Sequence, residues 1–114
     1  MQYLLLIYGN EKRWNGAAEQ DIAAEIARYN AFGQEFGRSI KAGDALQPTT
    51  TAKTVRVRDG KTVVTDGPFA ETKEQLGGYY LIEADTPEAA AAMAAKVPAA
   101  QSGCVEVRAI QKFS

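Results

Sequence analysis

The run Tyr3-Leu4-Leu5-Leu6-Ile7-Tyr8 is apolar at odd and even positions alike. Successive side chains of a strand point to opposite faces, so such a run fits a central strand covered on both sides. Gly9-Asn10 ends it, and a polar loop containing Trp14 follows. The rest of the chain has to supply what covers this strand.

From about Asp21 to Lys41 the apolar residues recur at Ile22, Ile26, Tyr29, Phe32 or Gly33, Phe36 and Ile40. Steps of three and four predict one long amphipathic helix, with Glu25, Arg28, Glu35, Arg38 and Lys41 mostly on the opposite side. Gly43 is the expected stop. Gly33 and Gly37 each cost roughly 1 kcal/mol relative to alanine inside a helix. Their spacing points to close packing against a sheet or to a local irregularity.

Thr54-Val55-Arg56-Val57-Arg58 alternates, Asp59-Gly60 is a two-residue turn signal, and Lys61 to Thr65 returns, which predicts a β-hairpin. A further strand is expected from about Gly78 to Ala84. Thr86-Pro87-Glu88 opens a second helix, with threonine as cap, proline in the first turn and glutamate at the positive dipole end. The alanine-rich helix should run to about Val97, where Pro98 closes it. A last strand follows over about Cys104 to Gln111. The order is strand, long helix, strand and hairpin, strand, helix, strand. This is the α+β order of a ferredoxin-like sandwich, with both helices on one sheet face.

One helical layer cannot cover both faces of Tyr3–Tyr8. A monomer would leave a sizeable apolar patch, and such patches mark interfaces. The expected remedy is a homodimer joined through the sheets.

Composition narrows the function classes. The 114 residues fit one domain, 1–114, with no length for a second core. Thirteen basic residues against fourteen acidic ones give a net charge of −1, so no nucleic-acid partner is expected. One cysteine, Cys104, forms no internal disulfide and suits a reducing, cytoplasmic setting. It reads as a small buried hydrophobe. No stretch is long and apolar enough to serve as a signal peptide or cross a membrane. With no histidine and a single cysteine, no metal site is expected, and no nucleotide-binding motif or other cofactor signature is present.

The segment Asp66-Gly67-Pro68-Phe69-Ala70-Glu71-Thr72-Lys73-Glu74 has the most chemical potential. Asp66-Gly67-Pro68 is a turn, Phe69 should anchor the loop in the core, and Glu71 to Gln75 should form one helical turn. Asp66, Glu71 and Glu74 bring three carboxylates close in sequence to Lys73. Read functionally, they rim a pocket where Asp66 or a neighbouring glutamate acts as general acid or base. Read structurally, they are a solvated loop, the commoner fate of charged side chains.

This literal DGPFAETKE string, continuing as QLGGYYLIEA, resembles the signature of the DGPF group within the YCII-related superfamily. Matches extend to YLLLIYGNE with Trp14, to Ala45-Leu46-Gln47-Pro48, to Thr54–Gly60, to Pro98 and to Val105–Arg108, nearly the whole chain. The resemblance implies a dimeric α+β barrel: two ferredoxin-like domains with their sheets face to face. YCII-like relatives are thought to pair a histidine with an aspartate, and one acts on a chlorinated hydroxyquinol. Here the expected histidine position falls near Phe32, so that proton shuttle does not carry over. Relatives also occur beside extracytoplasmic-function sigma factors, which implies a regulatory setting.

Arg56, Arg58, Glu83, Glu106 and Arg108 occupy alternate strand positions. They suit an anion-holding sheet face or, more commonly, cross-strand ion pairing. Tyr8, Tyr79, Tyr80 and Trp14 suit an aromatic ligand or plain packing. Three functional readings follow. The first is a homodimer binding a small organic molecule in its barrel cleft, with Tyr8, Arg56, Arg58, Glu71, Lys73, Glu106 and Arg108 as contact candidates. The second is a cofactor-free enzyme of proton transfer or elimination, with Asp66 as base. The third is an interaction module in a sigma-factor circuit.

Overall fold

The computed structural model describes residues 1–113. Tyr3–Tyr8 lies in β1 (Gln2–Gly9), at the interior of a four-stranded antiparallel sheet. A short 3-10 turn, Glu11–Trp14, leads into α1 (Glu19–Phe36), which is followed by β2 (Ile40–Ala45). β3 (Lys53–Arg58) and β4 (Lys61–Asp66) form a separate two-stranded sheet. β5 (Gln75–Glu83), α2 (Pro87–Ala94) and β6 (Cys104–Ala109) complete the chain. The large sheet runs β2-β5-β1-β6, and every pairing in it is antiparallel. This mixed α+β arrangement is consistent with a ferredoxin-like fold, the hairpin being an insertion between β2 and β5.

The two faces of β1 differ as the pleat requires. Tyr3, Leu5 and Ile7 are buried with Ile82, Phe32, Ala90, Met93, Ala94 and Val97 in the core beneath both helices. Leu4, Leu6 and Tyr8 point the other way and are only half-buried. Across the sheet they meet Leu81 and Tyr79 of β5 and Arg108, Glu106 and Cys104 of β6. Neither helix lies over this second face. Full burial of a leucine or isoleucine contributes roughly 1.5–3 kcal/mol, so the helix-covered face carries most of the protomer's hydrophobic stabilisation.

α1 ends sooner than its periodicity predicts. Gly37, not Gly43, terminates it: a side chain there would crowd the Gly33 carbonyl oxygen at 2.9 Å. Ser39 then turns, its N–H donating to the Phe36 carbonyl at 2.8 Å, and Ile40 opens β2 opposite Ile82. Ile40 lies four residues after Phe36, so the start of a strand continued the helical pattern. Gly33 makes no close approach to the sheet. The apolar stripe is also only half covered. Phe32 is buried against Tyr80 and Phe36, ring centroids 5.1 Å away in each case, but Ile22 and Ile26 are exposed.

α2 begins as expected. The Thr86 hydroxyl accepts from Ala89 N–H at 3.0 Å, with Pro87 in the first turn. The regular helix stops at Ala94, and Pro98 opens a 3-10 turn rather than closing the helix directly. At the hairpin tip Asp59 and Gly60 have φ of 52° and 73°, the paired positive values of a tight hairpin turn.

The 66–74 segment departs from expectation in two respects. Phe69 is 83% exposed and anchors nothing in the protomer core. Residues 71–74 form no helical turn, only a bend at Lys73 and Glu74, and Gln75 already belongs to β5. The Thr72 hydroxyl donates to the Glu74 carbonyl and the Gln75 amide to the Thr72 carbonyl, so side chains satisfy the loop instead of helical bonds. Cys104 is exposed on β6, not buried. Its thiol donates to Glu74 Oε1 at 3.7 Å, and partial desolvation, then the Glu74 and Glu106 carboxylates, push its pKa up.

Candidate functional site

The sequence candidates separate into three places. Tyr8, Lys73 and Glu106 line a broad, open cavity of about 630 Å³ on the sheet face that the helices leave bare. There the Tyr8 hydroxyl donates to Glu106 Oε1 at 3.5 Å, and Arg108 Nε donates to Glu106 Oε2 at 3.2 Å. Arg56 and Arg58 lie on the separate hairpin and do not share a sheet with Glu106 and Arg108. Asp66 is exposed at the hairpin base and ion-pairs with Lys53. Glu71 is exposed in the loop. Among the described residues no hydrogen bond or ion pair joins Asp66, Glu71 and Lys73.

A better-walled cleft lies on the opposite side of the sheet, between α1 and the ends of β1 and β5. The Asn10 side chain accepts from Lys12 N–H at 2.9 Å, capping the 3-10 turn that presents Arg13 and Trp14. The Arg13 guanidinium stacks over the Trp14 ring, 4.6 Å from its centroid. Glu25 and Tyr29 are four residues apart on α1 and therefore share a face. Both line a cavity of about 380 Å³ together with Ile7, Arg13, Trp14 and Gln75. A second cavity of about 290 Å³ adjoins it through Ile7, Tyr29 and Gly77 and reaches Tyr80.

The rim is tied from three directions. Gln75 Oε1 accepts from Glu11 N–H at 2.9 Å. The Glu11 carboxylate accepts from Thr49 N–H at 2.7 Å and from the Thr49 hydroxyl at 2.8 Å. The loop after β1, the segment after β2 and the start of β5 are thus fixed to one another before any ligand arrives, which lowers the ordering cost of binding.

Glu25 is the unusual residue. Its side chain is only 13% exposed, and its carboxylate holds Arg13 and Arg28, each at 3.3 Å. Arg13 also donates to the Ser102 hydroxyl at 2.8 Å, so the guanidinium bridges α1 and the segment before β6. One turn on, Tyr29 has a raised pKa, chiefly through burial and then through the Glu25 charge. Its phenol is protonated at neutral pH and available as a donor. Tyr80 is raised by burial as well. The cleft thus combines a phenol donor, a guanidinium and a shielded carboxylate with aromatic walls.

Reading α1 as apolar on one side and charged on the other put Glu25 with the solvated residues. The signal was nevertheless present: Ile22, Glu25, Tyr29, Phe32 and Phe36 follow one another at steps of three and four. That progression inserts a carboxylate into the apolar stripe. Arg13 and Gln75 carried no comparable mark, since the turns that aim them are tertiary.

A small antiparallel α+β fold with helices on one sheet face and a cleft beneath the first helix describes this chain. The model of the YCII-related domain matches it over residues 1–114. An uncharacterised protein, R00369, of Rhizobium meliloti (strain 1021) is 39% identical over 85 residues, covering 73% of this chain and 68% of that protein. The chain belongs to the YCII-related family. Among the described residues no helix is long and apolar enough to cross a membrane.

Proposed function

We propose that this protein is a cytoplasmic homodimer of the DGPF branch, a dimeric α+β barrel that binds a small organic molecule in the cleft beneath α1. The observation that carries the reading is the cavity of about 380 Å³ in which a nearly buried Glu25, bridged by Arg13, stands beside the protonated phenol of Tyr29. Ligand pockets generally run from about 300 to about 1,000 Å³ with few polar groups on apolar walls. The ligand class that fits is a small aromatic or unsaturated molecule bearing a hydrogen-bond acceptor for Tyr29 and Arg13. The half-exposed Leu4, Leu6, Tyr79 and Leu81 support association through the bare sheet face. The literal DGPFAETKE string over 66–74 supports the branch, and the single cysteine supports the compartment.

A second reading draws on the Glu25–Tyr29 adjacency. A shielded carboxylate beside a phenol is an acid–base pair, so proton transfer on the bound molecule belongs to this cleft rather than to the exposed Asp66.

A thermal-shift screen of aromatic acids, phenols and enolisable carbonyl compounds tests the proposal. Hits should raise the melting temperature of the native protein and lose that effect in Tyr29→Phe and Arg13→Ala. Turnover of a hit, abolished in Glu25→Gln with binding retained, would favour the second reading. Hits that shift the Arg13 and Tyr29 variants as strongly as the native chain would move the ligand out of this cleft.

A further inference from the structure

The double glycine near the start of β5 has a packing reason at one position and none at the other. A Cβ on Gly78 would lie 3.0 Å from the Asp44 carbonyl oxygen, so the neighbouring strand leaves it no room. A Cβ on Gly77 would meet no atom within 4 Å. Gly77 is also the extra residue of a β-bulge. Leu76 lies opposite Tyr8 and Gly78 opposite Ile7, which leaves Gly77 without a partner on β1. Its carbonyl accepts from Leu46 N–H at 2.9 Å, so the bulge is fixed to the segment after β2. A glycine inside a strand marks a bulge or a place where another molecule approaches the backbone closely.

The bulge stands where the two cavities of the cleft meet: Ile7, Tyr29 and Gly77 line both. Leu76 shares the bare sheet face with Tyr8, so by alternation Gly77 turns back to the helix-covered side, where both cavities lie. A side chain there would enter the passage between them. The outer cavity holds Arg13 and Glu25, and the inner one, of about 290 Å³, holds Tyr80. Tyr29 borders both, and its pKa is raised by burial first, then by Glu25 and by Tyr80. Tyr3, Tyr8 and Tyr79 each donate their hydroxyl within the protein, whereas among the described residues those of Tyr29 and Tyr80 donate to nothing. The described residues include no sealed polar side-chain atom without a partner, so both hydroxyls reach open space. At the other end, only Nη1 of Arg13 is engaged, by Glu25 and Ser102. Nε and Nη2 are left for a ligand, and a guanidinium fork suits a carboxylate.

We infer that Gly77 is the specificity-determining residue of this cleft: its missing side chain lets an elongated ligand pass from Arg13 into the inner cavity, where Tyr29 and Tyr80 donate to one carbonyl oxygen. The inference rests on the binding cleft proposed above and narrows its ligand. The class is a planar acid that carries a carbonyl group at the end far from its carboxylate. Two preorganised donors on one oxygen hold a carbonyl and favour negative charge developing on it. The aromatic walls between the two ends suit the planar middle.

Calorimetric titration with 4-acetylbenzoate, which carries both ends, and with benzoate, which lacks the ketone, tests this. The native chain should bind 4-acetylbenzoate about tenfold more tightly than benzoate, the worth of one good hydrogen bond. Gly77→Val should abolish that advantage while leaving benzoate within about twofold of its native affinity. Infrared difference spectra give a reading independent of affinity. The ketone band of bound 4-acetylbenzoate should move to lower frequency in the native chain and return toward its free position in Tyr80→Phe. Where Gly77→Val does not fold, this band decides, and an unshifted band overturns the inference. Binding of both acids through Arg13, with no advantage for the ketone or with the advantage intact in Gly77→Val, would overturn the inference alone. Binding of neither acid, or binding undiminished in Arg13→Ala, would overturn the cleft reading and the inference with it.

Discussion

Gly103 packs backbone to backbone against Tyr8. A Cβ placed on Gly103 would lie 2.1 Å from the Tyr8 carbonyl oxygen and 3.0 Å from the Gly9 Cα. The contact joins the end of β1 to the turn that feeds β6. Neither backbone can yield without breaking the Tyr8–Cys104 pairing of the sheet. Gly103→Ala should therefore destabilise by about 3 kcal/mol, the upper range for forcing atoms into packed structure. Urea denaturation of the variant checks this.

Leu5 and Phe69 should behave oppositely despite similar apolarity. Leu5 is completely buried, so Leu5→Ala should cost roughly 2–5 kcal/mol. Phe69 is exposed in the protomer, so Phe69→Ala should fall within about 0.5 kcal/mol of native when measured at concentrations where the chain is monomeric. Chemical denaturation over a dilution series separates that protomer effect from any effect on association.

Thr86→Ala removes the acceptor of the Ala89 N–H at the start of α2 and should cost about 1 kcal/mol. Thr86→Ser keeps the oxygen and should restore most of the loss. Melting curves of the two variants, compared with the native chain, measure the cap.

Alkaline pH should weaken the fold. The pKa values of Tyr29 and Tyr80 are raised above the ordinary 10.0, chiefly by burial. In that window the folded state binds more protons than the unfolded state, so unfolding free energy falls as pH rises. The contribution is fully present below pH 10.0 and is lost as pH passes through the raised values. Y29F/Y80F should flatten the alkaline slope, read from denaturation midpoints between about pH 9 and about pH 12.

EDTA should leave the melting temperature unchanged, because the sequence holds no histidine and one cysteine. A fall of several degrees on chelation would reveal a resident metal.

What the sequence disclosed followed from local chemistry. Tyr3–Tyr8 announced a strand apolar on both faces, Asp59-Gly60 a hairpin turn, and Thr86-Pro87 a helix start, because each is decided within a few residues. Helix α1 was overextended because Ile40 satisfies helical spacing from Phe36 while pairing with Ile82 across the sheet. Phe69 was expected inside because apolarity was the only available guide. Its loop instead runs from the end of a projecting hairpin, which no local pattern reveals. The cleft was the least legible feature. Arg13, the Glu25–Tyr29 pair of α1 and Gln75 come from three parts of the chain, and only the closure of the sheet brings them together.

The pairing of β1 with β5 and β6 also bears on how the chain comes into being. Gln2 lies opposite Glu83 and Tyr3 opposite Ala109, so β1 finds its partner strands only in β5 and β6, far along the chain from it. Until those strands are made, Tyr3–Tyr8 is an unpaired apolar segment of high strand propensity, the kind that recruits other chains. Pairing across such sequence separations closes large loops and is intrinsically slow. Nascent chains of this protein should therefore depend on early shielding of β1, and premature termination before Cys104 should yield aggregates rather than a smaller folded unit.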